Sequence, residues 1–205
     1  MKKVVLSISA MLFVVAISFA QGHGGGHEGG GHEGGGDEGG ALGSSNWSNI
    51  TQITGFNDAF VHQKGNQNSS DIFQSGFGFY GGNDAFVHQM GDSNDAVVMQ
   101  VGTDGNSITH QIGNGNFSLT EQSLKGNLAT VNQHGDGNDS FVDQTGGFFF
   151  QSGNTAMVNQ HGDYGLSEIT QWGILNSANV LQQGYDQMST ISQFGIGHSA
   201  TVHQH

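Results

Sequence analysis

A chain of 205 residues with 36 Gly, no Pro, no Cys and 10% charged residues is neither an ordinary globular domain nor a typical disordered one. A packed core needs more Leu and Ile, and a disordered chain usually carries more charge. The missing Cys excludes a disulfide scaffold and a thiolate metal site, and a net charge of -13 with only four Lys and no Arg excludes nucleic acid as a partner, since nothing neutralises its phosphates.

Residues 1–20 read as a secretory signal. Lys2 and Lys3 form a basic start, Val4 to Phe19 is mostly apolar, and Ser18 and Ala20 suit a cleavage site. The apolar run is short for a membrane span and no second one follows, so the mature chain is expected to begin at Gln21. Residues 21–45 are Gly-, His- and Glu-rich, and Gly at that density costs too much backbone entropy to fold. The segment reads as a disordered, solvated tail or export handle. Its His23, His27, His32, Glu28 and Glu33 offer at most a weak divalent-metal site, which binding would have to order.

From Asn46 the chain repeats. Gln stands at 52, 63, 74, 89, 100, 111, 122, 133, 144, 160, 171, 182, 193 and 204, so fourteen units follow at eleven-residue intervals, except for 74 to 89 and 144 to 160. Four residues before each of Gln52, Gln63, Gln74, Gln89, Gln100, Gln111, Gln122, Gln133, Gln144, Gln160, Gln171, Gln182, Gln193 and Gln204 stands Ala or Ser, and two before stands Val, Ile or Thr. Six before stands, in most units, Asn: Asn57, Asn68, Asn83, Asn94, Asn116, Asn127, Asn138, Asn154 and Asn176. Two after is usually Gly, opening a turn such as Gly135-Asp136-Gly137.

Residues fixed at offsets of two share one side of an extended strand. The β-branched position favours strand and the Gly with Asn or Asp favours turn. The expected fold is therefore all-β: a two-sheet β-solenoid of seven strand-turn-strand coils over 46–205, divided as 46–67, 68–93, 94–115, 116–137, 138–164, 165–186 and 187–205. The Asn–Ala/Ser–Val/Ile–Gln face is predicted to point inward, with the Gln and Asn amides bonded as ladders along the stack. Seven coils span roughly 34 Å, and their ends present unpaired strand edges that template another copy. Assembled, such a chain becomes a cross-β fibril.

The unit Asn57-Asp58-Ala59-Phe60-Val61-His62-Gln63-Lys64-Gly65-Asn66-Gln67-Asn68 resembles the curlin repeat of curli, the extracellular amyloid of bacterial biofilms. The resemblance covers residues 46–205, and the signal and Gly-rich segment are similar to that family's layout. It implies a homopolymeric fibre on the bacterial surface, supporting biofilm matrix and adhesion. It also implies a periplasmic chaperone, an outer-membrane export pore and a nucleator as partners. This chain departs from the pattern in having seven double repeats rather than about five, Thr54 and Leu124 where Gly is expected, and Gly105, Gly165, Gln187 and His198 in place of Asn.

Two insertions near 77–82 and 147–153 are aromatic, with Phe77, Phe79, Tyr80, Phe148, Phe149 and Phe150, and are read as a lateral sticky edge or as loops folded over the local sheet edge. His62, His88 and His110 are expected in one outward column beside Phe60, Phe86 and Ile108. That column is a metal or acid-sensitive element, or simply a tolerant exposed position. Asp58, Asp84, Asp95 and Asp139 read as stacked gatekeepers or as turn solvation. No catalytic residue, cofactor site or metal ligand is assigned, and an enzyme is not expected. The competing readings are a curli nucleator or minor subunit, and a monomeric binding solenoid.

Overall fold

The computed structural model describes residues 45–76, 81–147 and 153–205. The signal segment, the His/Glu-rich tail and the aromatic residues Phe77, Phe79, Tyr80 and Phe148–Phe150 lie outside them. The described chain forms β1 (Trp47–Ile53), β2 (Asp58–Lys64), β3 (Ser69–Ser75), β4 (Asp84–Met90), β5 (Asp95–Thr103), β6 (Asn106–Ile112), β7 (Phe117–Lys125), β8 (Leu128–His134), β9 (Asp139–Thr145), β10 (Thr155–Asp163), β11 (Leu166–Ile174), β12 (Ser177–Tyr185), β13 (Met188–Ile196) and β14 (Ser199–Gln204).

Odd-numbered strands make one seven-stranded sheet and even-numbered strands the other, each in unbroken order from one end of the stack to the other. Every pairing between strands is parallel and in repeat register. Ile72 lies between Ile50 and Val98, for example, and Val131 between Thr109 and Val158. One odd and one even strand complete a coil, and coils follow at 22-residue offsets, as from Ser48 to Ser70. Across the insertions the offset becomes 26 (Gln74 to Gln100) or 27 (Gln144 to Gln171), yet like still faces like. The fold is thus a β-solenoid in which the extra residues leave the pairing of the strands undisturbed.

The alternation seen in the sequence becomes an alternation of burial, strict in β3 through β9 except at the end of β7, where Ser123, Leu124 and Lys125 are all half-buried. Small Ala and Ser lie beside Val, Ile and Thr on the inward faces. One apolar cluster joins Ile72, Ala85, Val87, Ala96 and Val98; a second joins Ala129, Val131, Val142, Ala156, Val158, Ile169, Ala178, Val180 and Ile191. Between them lies a polar band of Ser107, Thr109, Ser118 and Thr120, buried and with hydroxyls that find no hydrogen-bond partner among the described residues.

The turns set how closely coils can stack. At Gly113 (φ +124°) an added Cβ would lie 2.0 Å from the carbonyl oxygen of Gly135, one coil on, so neither the conformation nor the space admits a side chain. On the opposite edge Thr54 and Leu124 do adopt positive φ, 53° and 71°, where Gly was expected. Thr54 lessens the cost by donating its hydroxyl to the Gly76 carbonyl at 2.6 Å.

Candidate assembly interface

Two glutamine ladders run the length of the solenoid. In the odd sheet each Nε2 donates to the Oε1 of the next coil from Gln52 through Gln74, Gln100, Gln122, Gln144 and Gln171 to Gln193, at 2.8–3.0 Å. The even sheet repeats this from Gln63 through Gln89, Gln111, Gln133, Gln160 and Gln182 to Gln204, at 2.8–3.0 Å. The second Nε2 hydrogen crosses to the facing sheet, as from Gln111 to the Asp95 carbonyl at 3.0 Å and from Gln133 to the Phe117 carbonyl at 2.9 Å. That cross-link fixes which way each amide points and lets a buried polar side chain satisfy both hydrogens.

Asparagine runs the other way. Asn68, Asn94, Asn116 and Asn138 each donate Nδ2 back to the preceding Asn Oδ1, starting from Asn46, at 3.0–3.1 Å. The same oxygens accept the backbone N–H of the following Asn. In the even sheet Asn83 donates to Asn57 at 3.2 Å and Asn176 to Asn154 at 3.0 Å. Gly105 and Gly165 break the side-chain run, although their backbone N–H groups still reach Asn83 and Asn138. Asn127, above Gly105, donates instead to the Ser123 and Gln144 carbonyls, while its Oδ1 receives the Asn154 N–H. Gln and Asn amide dipoles therefore oppose one another, and the shorter Asn runs offset part of the axial dipole of the Gln ladders.

The polarity of the glutamine ladders makes the two ends of the stack different. At the β1/β2 end, the Oε1 atoms of Gln52 and Gln63 accept nothing among the described residues. At the β13/β14 end, Gln193 and Gln204 spend one Nε2 hydrogen on the Ser177 and Met188 carbonyls, each at 3.0 Å, and keep the ladder hydrogen free. Acceptors at one end face donors at the other. The apolar exposure matches: Trp47 is 52% and Ile53 48% exposed at the first end, Met188 67% and Phe194 58% at the second. Continuing the internal register by one coil sets Met188 on Trp47, Phe194 on Ile53, Ile191 on Ile50 and Val202 on Val61.

On the outer face of the even sheet His62, His88 and His110 do lie in one column, with His62 and His88 stacked at 5.0 Å between ring centroids and His88 edge-on to His110 at 5.6 Å. Burial, and then the neighbouring imidazoles, hold His88 below the usual histidine range; burial alone lowers His110. A second pair, His134 and His161, stacks at 4.9 Å one position past the Gln. Burial and then its neighbours His161 and His110 lower His134 too. On the odd sheet Glu121 and Asp143 are register partners, both raised by burial, with Asp143 adding to the shift of Glu121.

The four aspartates are not one stack. Asp58 and Asp84 are partners in the even sheet, whereas Asp95 lies in the odd sheet between Ser69 and Phe117, and Asp139 lies between Phe117 and Leu166. A different acidic column lines the turns. Oδ1 of Asp92, Asn114, Asp136 and Asp163 each takes the backbone N–H of the previous coil's Asn66, Asp92, Asn114 and Asp136 at 2.7–2.9 Å. Its sequence signal is an Asn or Asp three residues after the even-unit Gln.

No protein-family model matches this chain, and no curated protein matches it.

Proposed function

We propose that this chain is a structural subunit that polymerises end to end, the β13/β14 face of one copy stacking on the β1/β2 face of the next. The observation that carries the reading is the glutamine polarity: two free amide donors at one end, two free amide acceptors at the other, in the same two columns. Such a head-to-tail contact repeats without closing and generates a fibre. Stacking Met188 and Phe194 on Trp47 and Ile53 at each junction covers part of their exposed apolar surface and adds to the driving force.

The setting proposed for that fibre is the outside of a bacterial cell, as a curli-like amyloid of the biofilm matrix supporting adhesion, reached through a periplasmic chaperone and an export pore. This part rests on the curlin-like repeat. A major-subunit role is favoured over a nucleator because β14 keeps the Ala200, Val202 and Gln204 positions of the repeat, with only its Asn replaced, by His198. The role proposed is that of a polymer, not a catalyst.

X-ray diffraction from oriented, dye-binding fibrils of the purified chain tests the reading. A meridional reflection at about 4.8 Å is expected; a chain that stays monomeric at high concentration overturns it.

A further inference from the structure

His203 and His205 lie two residues apart at the edge of β14, both exposed, their rings 4.1 Å apart between centroids at an interplanar angle of 63°. Beyond that edge the even sheet has no further strand among the described residues. His203 stands over Leu181, in the same outward column that begins with His62 on β2. Stacking one copy on the next therefore continues the column from His203 of one copy to His62 of its successor, at about the 4.8 Å strand spacing. Within one copy, no three His, Asp or Glu side chains converge as a metal site among the described residues. The junction brings three imidazoles together.

We propose that the junction between successive copies is a binding site for a divalent transition-metal ion, with His203 and His205 from one copy and His62 from the next as ligands. This rests on the end-to-end reading above. Zinc suits the set: three neutral imidazoles and a water complete a tetrahedron, with nitrogens at about 2.0–2.1 Å from the metal. Rings already 4.1 Å apart, and rings stacked as His62 and His88 are at 5.0 Å, need mainly side-chain rotation to turn their nitrogens toward one point. All three ring positions face outward, so the ion enters from solvent. The nearest charged neighbours from the second copy are Lys64, in register over His205, and Asp58, in register over Ser199. Lys64 is exposed and free to swing away. The metal would then act as a clasp holding a chain end that the polymer has captured.

Equilibrium dialysis with zinc chloride against soluble chain and against fibres tests this, with fibre mass measured by sedimentation in the absence of metal. Fibres are expected to hold about one zinc per subunit beyond what the soluble chain holds. His203→Asn and His62→Asn fibres should lose that extra zinc. Both should still assemble, because Asn occupies the same outward column at Asn132 and Asn159. A His134→Asn, His161→Asn variant should keep it. Because the ligands come from two copies, co-assembling His62→Asn chains one to one with His203→Asn, His205→Asn chains restores a full set at about a quarter of junctions. Zinc uptake should return to that fraction, and no recovery would place the ligands within one chain and overturn the site. Fibres that hold no more zinc than the soluble chain also overturn it, leaving the polymer reading intact; a chain that forms no fibres removes both.

Discussion

Gln111 donates its Nε2 to Oε1 of Gln133 at 2.9 Å while its own Oε1 receives Nε2 of Gln89 at 2.9 Å, and its remaining hydrogen reaches the Asp95 carbonyl across the core. Gln111→Ala removes all three bonds and strands a buried donor on Gln89 and a buried acceptor on Gln133. The expected cost is about 3–5 kcal/mol, from two orphaned amide groups plus the cavity. Gln204→Ala leaves without a partner only the Gln182 amide and the solvent-accessible Met188 carbonyl, at the end of the stack, and should cost about 1 kcal/mol while slowing fibre elongation markedly. Urea unfolding of the freshly purified chain and seeded growth kinetics separate the two effects.

Gly113 and Gly115 share positive φ but not surroundings. Gly113 is pressed against the Gly135 carbonyl, whereas a Cβ on Gly115 would meet nothing within 4 Å. Gly115→Ala is expected to cost about 1 kcal/mol, the ordinary left-handed penalty. Gly113→Ala should exceed about 3 kcal/mol because the coils themselves must part. Denaturant midpoints of the two variants should rank accordingly.

The polar band between the two core clusters is a built-in weakness. Thr109 and Thr120 are fully buried, their hydroxyls without a partner among the described residues, in columns otherwise filled by Val and Ile. Replacing both with Val removes two unsatisfied groups at nearly unchanged shape and joins the clusters, for an expected gain of about 1–3 kcal/mol. Thermal unfolding of the double variant checks this.

Acid and base should each cost stability through different residues. His88, His110 and His134 are lowered by burial, so their contribution is complete above the usual histidine range and is lost as pH falls from about 6.5 toward their lowered values. Glu121 and Asp143 are raised by burial, so the folded state is penalised as pH climbs out of the usual carboxylate range and through their raised values. The Glu121→Gln, Asp143→Asn variant should be more stable than the natural chain at neutral pH, with the difference vanishing below about pH 4. A His88→Asn, His110→Asn, His134→Asn variant should lose less stability between pH 7 and 5. Unfolding midpoints across pH read both.

The coil count, the two-sheet division and the inward face were legible because the fixed positions recur at spacings of two within a unit and eleven between units. The sense of each ladder was not, since it depends on which carbonyl the second amide hydrogen reaches: Asp95 for Gln111, Ser123 and Gln144 for Asn127. Parity, not the Asn-Asp pattern, decides which aspartates stack. Asp95 and Asp139 begin odd units, so they lie on the other sheet from Asp58 and Asp84, with Phe117 between them. His203 and His205 carry no signal within one copy; they gain meaning only when the register is continued onto His62.

The end-to-end contact is tested most directly by a register-specific disulfide. Continuing the even sheet places Thr201 of one copy opposite Phe60 of the next, at about the 4.8 Å spacing of paired strands and within disulfide reach, and the chain has no native cysteine to interfere. A Thr201→Cys, Phe60→Cys chain, assembled under reducing conditions and then oxidised, should give a long ladder of covalent multimers on a non-reducing gel, while neither single variant does. Fibres that yield only monomers and dimers after oxidation would contradict the head-to-tail stack.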